Sequence, residues 1–267
     1  MRAIRELMNL TGHVACITGG AGHIGSAMAD GLAELGAHVV VVDLSAERCA
    51  ATAAGLQSAH GPEALALPID LADEAAVRSI PGAVAARFGR LDILINCAAL
   101  VGSSTLKGWA VPFREQGSEA WRLALEVNLT SPFVLTQACA GLLAESGHGS
   151  VINVSSLYGV AGPDMRLYDG TAMGNPAAYG ASKGGLLQLT RWLSTVMAPS
   201  VRVNAISPGG VSRGQPELFQ ERYVDRTPLR RMAVEEDFKG AAAYLASDLS
   251  AYVTGQNLVV DGGWTAW

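Results

Sequence analysis

The most constraining feature of this chain is a steady alternation of short apolar, β-branched runs with stretches of helical length. The runs fall at residues 13–18, 38–43, 64–69, 91–96, 150–155, 201–206 and 257–260. Between them lie segments such as 24–35, 73–88, 120–144 and 178–196, whose apolar residues recur at three- and four-residue spacing. Val39-Val40-Val41-Val42 and Ile93-Leu94-Ile95 are apolar on both strand faces. A parallel strand needs that when helices cover both sides of its sheet. The alternation implies right-handed crossovers, and hence an α/β fold: a doubly wound parallel sheet of about seven strands with helices on both faces. Ligands of such sheets bind beyond the C-terminal strand ends, so the residues just after each strand carry the functional reading. No repeat or linker interrupts the pattern, so residues 1–267 are expected to form a single domain.

Composition removes several classes of function. The net charge is −5, and Arg and Lys are scattered singly, so no nucleic-acid partner is expected. The longest apolar run, at residues 39–42, is too short for a bilayer, and residues 1–9 lack the apolar core of a secretory leader. No membrane partner is therefore expected. Cys16, Cys49, Cys97 and Cys139 show neither metal-ligand nor CxxC spacing. They read as reduced thiols of a cytoplasmic protein without a metal site.

The first strand runs through Thr18-Gly19-Gly20-Ala21-Gly22-His23-Ile24-Gly25 directly into a helix. Glycines there allow backbone to approach a pyrophosphate, and the helix N-terminus offers free N–H groups. Asp43 ends the second strand, 18 residues after Gly25, where a carboxylate can accept both ribose hydroxyls of an adenosine. Its charge would repel a 2′-phosphate, and Leu44 and Ser45 supply no cation. NAD is therefore expected rather than NADP, with a helix cap as the competing reading of Asp43. Asp70 and Leu71 would meet the adenine, and the small residues of Asn96-Cys97-Ala98-Ala99 would let the cofactor lie across the fourth strand.

Tyr179 and Lys183 lie four apart on one helical face. A phenol is a weak base with a pKa near 10, but a neighbouring ammonium stabilises its phenolate. Such a tyrosine can exchange a proton with an alcohol or carbonyl, and Ser156 can donate to the same oxygen. The chain has only three lysines, and one falls at this spacing after a strand ending in Ser155-Ser156.

Together these motifs resemble the classical short-chain dehydrogenase/reductases over nearly the whole chain, from Leu10-Thr11-Gly12 to Asp261-Gly262-Gly263. The resemblance implies a Rossmann fold, a nicotinamide cofactor and catalysis by Ser156, Tyr179 and Lys183. It also implies that Asn128 kinks its helix and holds a water for a proton relay to Lys183. Lys183 would bond the nicotinamide ribose, and Pro208, Gly209 and Val211 would contact the nicotinamide carboxamide. The family's usual assembly is a homotetramer, with a dimer as the smaller option, built through the helices of Asn128 and Tyr179 and the C-terminal segment.

Two departures from the family pattern matter. The family's Thr-Gly-x-x-x-Gly-x-Gly turn has His23 at its middle glycine position, with Gly22 one place earlier. His23 is read either as a phosphate contact or as turn packing. The second departure is the separation of Ser156 from Tyr179 by 22 residues, about ten more than usual. The extra segment, residues 158–176, must loop over the active-site mouth or else be a surface ornament. With residues 208–216 and 263–267 it is similar to a subgroup linked to flagellin and nonulosonic-acid sugar modification. This insert and the segment after Pro208 are expected to form the substrate pocket. Ser156, Tyr158 and either Arg213 or Arg166 would meet a polyhydroxylated or anionic group. The expected activity is NAD-dependent interconversion of a secondary alcohol, sugar-like or polyol, and its ketone. The alternatives are an NADP-dependent carbonyl or 3-ketoacyl reductase and a non-catalytic dinucleotide-binding regulator.

Overall fold

The computed structural model describes residues 1–101 and 106–267. Seven strands, β1 (Val14–Thr18), β2 (His38–Asp43), β3 (Ala64–Pro68), β4 (Ile93–Asn96), β5 (Gly149–Val154), β6 (Val201–Pro208) and β7 (Asn257–Val260), form one sheet. All pairs are parallel, in the order β3-β2-β1-β4-β5-β6-β7. The helices are α1 (Ile4–Leu7), α2 (His23–Glu34), α3 (Ala46–His60), α4 (Glu74–Phe88), α5 (Ser118–Leu125), α6 (Ser131–Glu145), α7 (Leu157–Val160), α8 (Ala177–Val196), α9 (Glu217–Arg226) and α10 (Lys239–Ala246). The strand order reverses direction between β1 and β4, which opens the cleft that the sequence pattern requires.

The strand side chains sort by parity. Ala15, Ile17, Val39, Val41, Ile93 and Ile95 pack on one face with α2, α3 and α10. Val14, Cys16, Val40, Val42 and Leu94 pack on the other with α4, α6 and Leu193 of α8. This is the period of two that makes both faces of β1 and β2 apolar between their polar ends. Helix starts are fixed by side chains that accept free N–H groups: Ser45 from Arg48, and Asp73 from Ala75 and Ala76. Such a cap contributes about 1 kcal/mol. Asp43 does not cap α3, since Ser45 does.

Two expectations are refined. The single helix expected at 120–144 is α5 and α6 joined by a π-helical turn, Glu126–Thr130, that contains Asn128. The continuous run Ser118–Glu145 has mean hydropathy 1.3 in an 18-residue window, enough by length and composition to cross a bilayer. Its apolar residues Val134, Leu135, Cys139 and Leu143 are nevertheless buried against the sheet and α4. All four cysteines are free, and no metal-ligating cluster exists among the described residues.

Candidate active site

At the C-terminal end of β1, Gly19 adopts a left-handed conformation (φ +65°) with its backbone against Ala98. A side chain on Gly19 would lie 2.8 Å from the Ala98 Cα, and one on Gly25 would collide with the Gly19 carbonyl oxygen. Thr18 locks this turn to the end of β4, its Oγ1 accepting from the backbone of Cys97 (3.1 Å) and Ala98 (3.3 Å). The result is a side-chain-free cradle at the N-terminus of α2, with Gly22 at the cap and Ile24 packed on the core. A dinucleotide pyrophosphate fits such a cradle.

Asp43 is nearly buried, and its Oδ1 accepts from Leu44 N (2.8 Å) and Arg48 Nη2 (2.9 Å). Oδ2 has no partner among the described residues and remains available to ribose hydroxyls. Arg48 was not anticipated: the first turn of α3 carries it back over Asp43 from five residues downstream. Asp70 closes a tight turn through Ala72 N (2.9 Å), and Leu71 is buried beside it. Asn96 Nδ2 donates to Asn153 Oδ1 (2.8 Å) and Thr136 Oγ1 (3.3 Å) inside the molecule, so that its amide nitrogen is committed to the sheet interior. Beyond β6, Gly209 N donates to Val260 O (2.9 Å), and Val211 forms an isolated parallel bridge with Ala233. Both hold the strand end open after Pro208.

In the catalytic half, Ser156 caps α7 by accepting from Tyr158 N (3.1 Å). Its hydroxyl acts on the Tyr179 phenol in the direction that favours the phenolate. Burial nevertheless dominates and holds the Tyr179 phenol above its ordinary range. Lys183 is 2% exposed, with its Nζ 6.0 Å from the Tyr179 ring centre. Burial pushes this ammonium down to about 8. Among the described residues only one of its three N–H donors is used, on Val154 O (2.7 Å). A buried cation with two free donors is the environment a ribose diol would complete. Asn128 ties its π-turn to the neighbouring elements: Oδ1 accepts from Leu100 N (2.7 Å), and Nδ2 donates to Leu100 O (3.2 Å) and Ser182 Oγ (3.1 Å). The implied kink is the π-turn itself.

The substrate side differs most from expectation. Arg166 is 82% exposed and paired with Asp164 (2.7 Å), away from the catalytic group. Arg213 points at Glu235, its Nε 3.4 Å from Oε1. The same oxygen lies 3.3 Å from His23 Nδ1, so His23 faces a carboxylate. Arg166 is committed to Asp164, whereas Arg213 meets Glu235 through Nε alone and its charge acts on Tyr179, so Arg213 stays close to the catalytic group. The insert instead closes an aromatic cluster in which Leu157, Leu167 and Tyr168 pack with Phe219, Tyr223, Met232 and Trp264. Arg226 stacks over Trp264 (4.4 Å) and binds Asp164 (2.7 Å), while Arg222 donates to the carbonyls of Arg166, Leu167 and Asp169. Arg226, Glu235, Tyr223 and Asn175 had no local sequence signal, because each acts on a partner distant in the chain.

Residues 19–265 match the family profile described as enoyl-(acyl carrier protein) reductase. The chain is 35% identical over 258 residues to cis-4-hydroxycyclohexanecarboxylate dehydrogenase of Sinomonas cyclohexanicum, covering 95% of this chain and 96% of that protein. It is 34% identical over 265 residues to D-threitol dehydrogenase of Mycolicibacterium smegmatis, covering 96% and 94%. Among solved structures it resembles a gluconate 5-dehydrogenase from Burkholderia cenocepacia in complex with NADP and tartrate. That likeness has a TM-score of 0.88 and 30% identity, covering 99% of this chain and all of the other.

Proposed function

The chain belongs to the short-chain dehydrogenase/reductase family and is an NAD(P)-dependent oxidoreductase of CH–OH groups, and from that premise we propose that Ser156, Tyr179 and Lys183 interconvert a polyhydroxylated secondary alcohol and its ketone. The carrying observation is the buried Lys183 ammonium, single-bonded and 6.0 Å from the ring centre of Tyr179. In oxidation, the Tyr179 phenolate takes the alcohol proton while Ser156 holds the same oxygen. Lys183 would favour the phenolate against the effect of burial, as would the positive ring of an oxidised nicotinamide when bound. In reduction, Tyr179 returns the proton to the carbonyl oxygen. A nicotinamide held between the Gly19–Gly25 cradle and the end of β6 supplies the hydride acceptor or donor. Asn128 positions α8 through Ser182, and through it the tyrosine.

We assign NAD as the preferred cofactor, on the free Oδ2 of Asp43. NADP is the second reading, favoured by the NADP-bound gluconate dehydrogenase and by Arg48 at the same spot. Residues 1–267 are taken as one dinucleotide-binding domain of a cytoplasmic homotetramer. Exposed Trp121, Phe133, Trp192 and Val196 on the long helices support that assembly. The narrower likeness to flagellin and nonulosonic-acid sugar enzymes points to the same polyhydroxylated class of substrate.

The test is Tyr179→Phe in an assay of polyols at the nicotinamide absorbance, alongside a titration with reduced cofactor. Turnover should fall at least about 1000-fold while cofactor affinity stays within about threefold. Activity within tenfold of wild type would remove Tyr179 from the mechanism.

A further inference from the structure

The insert brings three polar side chains into a cluster that is otherwise apolar. Asn175 Nδ2 donates to Tyr168 Oη (3.0 Å), and Tyr168 Oη shares a hydrogen bond with Tyr158 Oη (2.9 Å). The protons can be counted. Two phenols carry two O–H donors, and one of them makes the bond between the rings. The other has no partner among the described residues, whichever way that bond runs. Both rings are largely withdrawn from water, Tyr168 within the cluster and Tyr158 against it. The indole N–H of Trp264, edge-on to Tyr158 at 6.0 Å, is a second buried donor with no partner among the described residues. Unpartnered donors in such surroundings are destabilising, so a ligand oxygen is the natural complement.

Tyr158 sits beside the reacting group. Its backbone N donates to Ser156 Oγ (3.1 Å), and its carbonyl lies against Gly180, the residue after Tyr179. Burial, then Tyr168, Tyr223 and Tyr179, raise the Tyr158 phenol far above its usual range, so it stays a neutral donor. The nearby cations are partnered unevenly. Arg166 and Arg226 share Asp164, Arg222 is spent on backbone carbonyls, and Arg213 faces Glu235. Two of these cations share one carboxylate and Arg222 meets only neutral carbonyls, so the region keeps net positive charge, while the unpartnered donors that face the subsite are neutral phenols and an indole.

We propose that Tyr158, Tyr168 and Asn175 form a subsite for a second, uncharged hydroxyl of the substrate, next to the carbinol that Tyr179 deprotonates. The substrate class is then a vicinal diol or polyol, or the matching α-hydroxyketone. This rests on the alcohol-oxidising reading of Ser156, Tyr179 and Lys183. A hydroxyl suits the relay because it donates and accepts at once, as the end of a phenol chain does.

The experiment compares kcat/KM for 1,2-cyclohexanediol, cyclohexanol and 2-hydroxycyclohexanecarboxylate with the accepted cofactor. Wild type should favour the diol over cyclohexanol by at least about 100-fold, in line with sites that hydrogen-bond a substrate hydroxyl. Tyr168→Phe and Tyr158→Phe keep the rings, and each should cut that ratio about tenfold, as should Asn175→Ala. Unchanged ratios in all three variants would overturn the subsite, as would a preference for the hydroxy acid over the diol. Wild type that binds reduced cofactor but oxidises none of the three alcohols would overturn it too. If Tyr179→Phe retains turnover, the underlying reading fails instead. If Tyr179 proves essential while the ratios do not move, only the subsite falls.

Discussion

The two sides of the cleft prepare for a ligand by different means. Around β1 and β2 the surface is backbone: Gly19 and Gly25 remove side chains, Thr18 fixes the turn, and one carboxylate, Asp43, adds chemistry. Around β5 and α8 the working groups are buried side chains, with Lys183, Asn128 and Ser156 nearly closed off from water. The first side gains from free N–H groups that need no desolvation of charge. The second keeps a charge in a poorly solvating place, and the strain shows in Lys183, pushed down to about 8 by burial. Binding is thus built from what is omitted, and catalysis from what is held against its preference.

The sharpest way to break this contrast is Gly25→Ala. The added methyl meets the Gly19 carbonyl in the tightest part of the cradle, where backbone must move to admit it. Affinity for reduced cofactor, read by tryptophan fluorescence, should drop at least about 100-fold, since close approach of backbone to phosphate is lost. Binding within about threefold of wild type would mean that the cradle is not built from backbone.

A smaller effect is expected at the carboxylate of Asp43 on that side. Asp43→Ala should move the NADP-to-NAD affinity ratio roughly tenfold or more toward NADP, because Arg48 already stands there and would be released. Adding Asp43→Ala to Arg48→Ala should abolish the gain. If the single variant shows no shift in titrations with both reduced cofactors, the ribose contact is misplaced.

The smallest effect tests the other side through stability. The native Lys183 is neutral above pH about 8, while an unfolded lysine keeps its proton to about 10.5. Between these values the unfolded chain holds more protons, so wild-type stability rises with pH across that window. Lys183→Met should therefore raise Tm at pH 7 by a few degrees, at about 2–4 °C per kcal/mol. That advantage should shrink as pH climbs from 8 toward 10.5. A Tm difference that stays constant with pH would show the lysine to be well solvated in the native state.

The contrast also explains what could be read from the sequence. The sheet was legible because its cause is local: two-sided apolar runs such as 39–42 fit only a covered parallel strand. The glycine turn and the Tyr179–Lys183 spacing are local too. The rest arises from pairs far apart in the chain. Nothing near Arg213 signals that Glu235 will claim it, and nothing near residue 164 foretells Arg226. Arg166 and Arg213 therefore looked free when each was already partnered. At Asn96 the strand-end position was legible, but the bond of its side chain to Asn153, far along the chain, was not. The π-turn at Asn128 has no sequence period that separates it from the α-helix on either side.

The insert has a further consequence for how such a chain can change. Lengthening the connection between Ser156 and Tyr179 from about 12 to 22 residues adds only about 0.5 kcal/mol of loop-closure entropy. Tyr168 packing on Phe219 at 5.4 Å and Tyr158 edge-on to Trp264 at 6.0 Å can offset that through aromatic contact alone. Both ends of the segment are anchored by the catalytic group, so its interior is free to drift. Substitutions there can replace one molecular recognition with another while the hydride chemistry and the sheet beneath stay as they are.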